Sequence, residues 1–126
     1  MENKEAAKEK KRIVKLLKDG GVSERRLSAL APIIEHTSWM KVKLDSTIEA
    51  IKQSQVAIAY DNGGGQKGIR ENPLFKGYEG LWRSYMAGMK EILAALPEEQ
   101  AKEEEEKIEE PRNVLELVRS KHKLNA

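Results

Sequence analysis

Five lysines, Lys4, Lys8, Lys11, Lys15 and Lys18, recur at steps of four and three, with Lys10 and Arg12 beside them. On a helix that spacing gathers a single cationic stripe, suited to lying along phosphates, where each neutralised contact adds affinity by counterion release. The same residues also read as a solvated face in which Glu5 and Glu9 pair with Lys8, Lys4 or Lys10 at i,i+3 or i,i+4. A second cationic feature surrounds Gly63, Gly64, Gly65 and Gly68. There, Lys67 and Arg70 either touch backbone phosphates without reading bases or simply keep a turn soluble. The glycines do not make a nucleotide site. A Walker loop needs a hydroxyl after its lysine and a strand before it, whereas Gly68 follows Lys67 and no strand pattern is read ahead of it. The dinucleotide pattern fails on the same ground.

Other chemistry is scarce. His36 and His122 lie in different segments, and neither has a partner at the HExxH spacing of a metal site. The Glu35-His36 pair is isolated. Carboxylates concentrate between Glu98 and Glu110, where hydration suits them poorly to acid–base work, and no serine sits in a nucleophile-elbow context. The chain has no cysteine, which removes disulfides, thiolate catalysis and Cys-based zinc sites. These absences lead to the expectation of a non-enzyme with no metal and no cofactor.

The elements that position the basic residues are helical. Residues 2–19 form the first, with Asn3 as its cap, Ile13, Val14, Leu16 and Leu17 as an apolar patch, and Gly20-Gly21 as its stop. Ser23 caps a second helix, a long one marked by Leu27, Leu30, Ile34, Leu44, Ile48, Ile51 and Ile58 and expected to break or restart near Pro32. Its apolar line is interrupted at Thr37 and Lys41, which predicts either a wet middle or a polar contact with another subunit. Trp39, beside that break, reads as core or as an interface anchor. Arg25 and Arg26 stand at its start, though no diagnostic spacing marks a base-reading helix there. Asn72 and Pro73 open a third helix, and Leu74, Tyr78, Leu81, Tyr85, Met89, Ile92, Leu93 and Leu96 give it one apolar face before Pro97 closes it. Gly77, Gly80, Ala87 and Gly88 on this helix predict close approach of a neighbour, since each glycine costs about 1 kcal/mol against alanine.

A long helix ending at Tyr60, the glycine-rich Gly63 to Gly65, and Asn72-Pro73-Leu74 leading into a helix with small and aromatic residues together resemble the small terminase subunits of tailed bacteriophages. The resemblance extends over Val22 to Pro97. It implies a protein that binds double-stranded viral DNA, assembles as a ring-shaped homo-oligomer in the host cytoplasm, and recruits or regulates the large terminase subunit during genome packaging. It also implies that the DNA contacts fall to Lys8, Lys10, Lys11, Arg12, Lys15, Lys18, Arg25 and Arg26, with Lys67 and Arg70. The large subunit would meet Val114, Leu115, Leu117 and Val118.

Composition bounds these readings. The chain has 126 residues, 35% charged and 5% aromatic, with a single Phe, a thin core that suits an extended helical protein completing its burial by oligomerising. Residues 1–26 hold nine Lys/Arg against five Asp/Glu, residues 27–97 eight against seven, and residues 98–126 six against nine. Positive charge at the front and negative at the back suits two different partners. No apolar run approaches the ~20 residues of a membrane span, and the first residues lack the apolar region of a signal peptide, so neither a membrane nor export is expected. Residues 98–111 read as an acidic linker or helical spacer. Behind it, residues 112–126 carry a short amphipathic segment that either docks on a partner or packs back on its own domain.

The sequence thus predicts an all-α, oligomeric protein in four parts. These are a basic helix over 1–21, a long antiparallel helical hairpin around a glycine-rich turn over 22–97, the spacer over 98–111 and the tail helix over 112–126. The rival readings are a helical scaffold or interaction protein without nucleic acid, and a small DNA-binding transcriptional regulator.

Overall fold

The computed structural model describes residues 3–54, 57–61, 67–71 and 73–111. Among them are four helices, α1 (Lys4–Asp19), α2 (Glu24–Lys52), α3 (Pro73–Leu93) and α4 (Glu98–Glu106). The helical class expected from the sequence holds. Two short strands, β1 (Ala57–Asp61) and β2 (Lys67–Glu71), pair antiparallel between α2 and α3, with Ala57 opposite Glu71 and Asp61 opposite Lys67. The glycines Gly63 to Gly65 lie outside the described residues, as do Asn72 and the whole tail segment with Val114, Leu115, Leu117 and Val118.

The local signals that start and stop α1 act as expected. Asn3 accepts hydrogen bonds from the backbone N–H groups of Glu5 (2.8 Å) and Ala6 (3.3 Å), satisfying donors that the first turn leaves without helical partners. At the other end Gly21 adopts φ +87°, the left-handed conformation that favours glycine. Ser23 then caps α2 by accepting from Arg26 N–H at 3.2 Å. Pro32 neither breaks nor restarts α2, which runs unbroken for 29 residues. Ser28, whose carbonyl would have received the missing N–H, is exposed and so is Pro32, which lets water take the freed acceptor. The C-terminal part of the expected helix does change. α2 stops at Lys52, and Ile58 and Tyr60 lie on β1, where β-branched and aromatic residues fit an extended chain. A strand therefore does precede the glycines, although Gly68 still occupies the position where a phosphate loop needs a hydroxyl.

α2 is the central element, with α1 and α3 packed on it and α4 packed on α3. The core joins Ile13 and Leu17 of α1, Ile34, Leu44 and Ile51 of α2, and Phe75, Tyr78, Met89, Ile92 and Leu93 of α3. Thr37, expected to leave the middle of α2 wet, is buried at 2% exposure. It lies against Gly88 of α3, where an added Cβ would collide with the Thr37 Oγ1. Within the described residues the close approach predicted for the α3 glycines occurs there, whereas nothing lies within 4 Å of a Cβ built on Gly77 or Gly80. Lys41, the other break, is half-buried and pairs with Asp45 at 2.7 Å.

The acidic stretch after Pro97 is helical and does not stand free. Ala101 and Ile108 pack against the core, and the Tyr78 hydroxyl donates to Glu110 Oε1 at 2.5 Å. This bond ties the segment after α4 back onto α3. Burial first, then the bond to Glu110 and its charge, pushes the Tyr78 phenol far above its ordinary value of 10.0. Tyr85 is raised as well, mainly by burial and then by the charge of Glu9, with Arg12 working in the opposite direction. A phenol held protonated by the fold stabilises it fully below the unfolded value near 10. That stability is lost as pH rises further, at a rate that approaches about 1.4 kcal/mol per pH unit for Tyr78 once pH is well above 10. Chemical denaturation between pH 9 and 11 is therefore expected to show Tyr78→Phe losing about 1.4 kcal/mol less than wild type over the whole interval, after an initial loss of roughly 1–2 kcal/mol for the missing hydrogen bond. Equal slopes would mean that the phenol is not held by the fold.

Candidate nucleic-acid interface

α1 separates its side chains cleanly. Ala6, Ile13 and Leu17 are buried, and Lys4, Lys8, Lys11, Lys15 and Lys18 are all exposed on the opposite side. At 1.5 Å per residue the five lysines form a ridge about 21 Å long. The lysine pairings expected of a solvated face do not form. Glu9 instead takes Arg12, in a two-pronged contact of 2.5 and 3.1 Å, and Glu5 holds none of the lysines. Only two ridge lysines meet a carboxylate among the described residues, Lys15 with Asp19 at 3.5 Å and Lys18 with Glu24 at 3.6 Å. Both contacts are long and exposed, so they hold the ammonium groups weakly.

The structure sorts the other expected contact residues. Lys10, half-buried, lies between a small cleft with Glu35 and Trp39 and a groove it shares with Lys11, Lys15 and Lys18, and Arg12 turns toward a separate cavity, its guanidinium held more firmly protonated by the Glu9 hydrogen bond. Arg25 and Arg26 are exposed in the first turn of α2, beside the C-terminal end of the ridge. Lys67 and Arg70 lie on β2, in register with Asp61 and Ile58. Lys4, part of the stripe but outside the expected contact set, belongs to the ridge.

Two features were not read from the sequence. One is a cavity of about 330 Å³ between the four helices, floored by Leu44, Ile48, Met89 and Leu93. Four separate elements build it, so no spacing announces it. Its sequence signals are local pairs alone, Glu9–Arg12 and Glu104–Lys107 at i,i+3 and Lys41–Asp45 at i,i+4. The other is an apolar groove of about 340 Å³ that Pro32, Ile33 and Met40 share with Ser84 and Gly88, while Trp39, 39% exposed, lines the small cleft with Lys10 and Glu35.

Among the described residues no three His, Asp or Glu side chains gather as a metal site, and no helix is long and apolar enough to cross a membrane. Comparison with protein-family models, curated proteins and solved structures finds no match.

Proposed function

We propose that this chain binds the phosphate backbone of duplex DNA along the α1 ridge, in the role of a terminase small subunit. The observation that supports the reading is the ridge itself: five exposed lysines on one helix face, of which only Lys15 and Lys18 meet a carboxylate among the described residues, in long exposed contacts, while Glu9 is taken by Arg12. Such a surface positions a protein on DNA without reading sequence. Arg25 and Arg26 extend it toward α2. In this reading α2 and α3 are the arms of the hairpin, copies of the chain assemble as a ring, and the tail residues Val114 to Val118 engage the large terminase subunit. Binding, not catalysis, is the chain's contribution to packaging.

The test is electrostatic. With four to five lysines engaged, the logarithm of the binding constant for a 30-base-pair duplex should fall against log salt with a slope of about −4, and unrelated duplexes should bind alike. A slope near zero would remove the reading. A second reading, an interaction protein without nucleic acid, draws on Trp39, since a large exposed aromatic is the form of an interface anchor. It predicts oligomers whose mass ignores DNA.

A further inference from the structure

The cavity between the four helices takes no part in the proposed DNA contact and stands independently of it. It is a half-enclosed pocket open to solvent, and its volume of about 330 Å³ lies at the lower end of the range that small ligands occupy. At about 30 Å³ per water-sized group it admits roughly ten non-hydrogen atoms. Its floor is apolar. Its upper wall is aromatic, with Trp82 and Tyr85 at a centroid distance of 6.0 Å and tilted by 41°.

The charged lining decides which head group fits. Three cations line the pocket, and each already holds a carboxylate three or four residues away: Arg12 with Glu9 at 2.5 Å, Lys41 with Asp45 at 2.7 Å, Lys107 with Glu104 at 3.1 Å. Glu109 also lines the pocket and carries no ion pair among the described residues. An entering anion must displace one of three carboxylates from its cation and meets Glu109 as well. An entering cation is attracted to Glu109 and to the aromatic rings of Trp82 and Tyr85 without breaking an ion pair of the described residues.

We propose that this cavity is a binding site for a short amphiphilic amine, with an alkyl body of about eight carbons on Leu44, Ile48, Met89 and Leu93 and the ammonium at Glu109 beside Trp82. The segment after α4 supplies Ile108 and Glu109 to one wall, and the Tyr78–Glu110 bond holds that wall in place.

Calorimetric titration of the full chain near pH 7 and at low salt, with octylammonium chloride, sodium octanoate and 1-octanol below their aggregation limits, tests the assignment. Octylammonium should bind saturably, about tenfold tighter than octanoate and measurably tighter than octanol. Glu109 is exposed, so Glu109→Gln should leave the fold intact while lowering octylammonium affinity about threefold and octanol affinity not at all. Leu16 is half-buried on the cavity wall, and Leu16→Trp should fill the space and abolish binding of every probe. The site is refuted if no probe saturates, or if Leu16→Trp keeps native circular dichroism and undiminished binding. The amine class is refuted if octanoate or octanol binds as well as octylammonium. Unchanged octylammonium affinity in Glu109→Gln refutes the head-group position.

Discussion

Replacing Lys8, Lys11 and Lys15 together by glutamate is expected to lower affinity for duplex DNA by at least about two orders of magnitude and to flatten the salt slope by about three. Each substitution deletes one phosphate contact and puts repulsion in its place, so the loss should exceed that of the lysine-to-alanine series. The fold should be indifferent. All three side chains are exposed, the buried face of α1 is Ala6, Ile13 and Leu17, and the one ion pair disturbed is the 3.5 Å contact of Lys15 with Asp19. The triple variant should therefore melt within about 1 kcal/mol of wild type. Arg12→Glu, by contrast, should barely alter DNA affinity, because its guanidinium is already engaged by Glu9 and faces the cavity. The contrast is diagnostic. If binding is merely attraction to net charge, Arg12→Glu and any single ridge reversal will weaken it equally. If the ridge is the interface, geometry will separate them.

What could be read from the sequence divides along the range of the interactions involved. α1 was legible because everything that defines it is local: Asn3 at the cap, lysines and apolar residues at helical steps, and glycines at the stop. The apolar face of α3 was legible for the same reason, although Phe75, which is fully buried, stood outside the pattern. The misread positions depend on partners. Pro32 was expected to break α2, yet the carbonyl it frees sits at an exposed turn, and Ile58 fitted a helical step until strand pairing with Arg70 claimed it. Thr37 looked wet because a hydroxyl interrupts an apolar line. It is dry because the facing residue on α3 is a glycine 51 positions later, and no periodicity carries that information. The Tyr78–Glu110 bond spans 32 residues and the cavity draws on four elements, so both are equally silent in the sequence.

The Thr37–Gly88 contact gives a large stability effect from one added side chain. Gly88→Val would drive a branched group into the Thr37 hydroxyl and methyl, where even a single Cβ has no room. Overpacking of this kind costs about 1–3 kcal/mol, and valine forgoes most of the helix propensity that alanine would gain, so a loss of about 3 kcal/mol is expected by chemical denaturation. That is a large share of the roughly 5–15 kcal/mol that holds a small domain together. Because the clash is with one side chain, it should be reciprocal. Thr37→Ala should recover about half of the loss in the Gly88→Val background, a coupling that a general defect in α3 would not show. The two open glycines on the same helix supply the control. Gly77→Ala and Gly80→Ala meet nothing within 4 Å and should each stabilise the isolated chain by about 1 kcal/mol, purely through helix propensity. A loss at either position would instead mean that α3 is approached there by a neighbour outside the protomer, since within the described chain nothing stands in the way of an added methyl group.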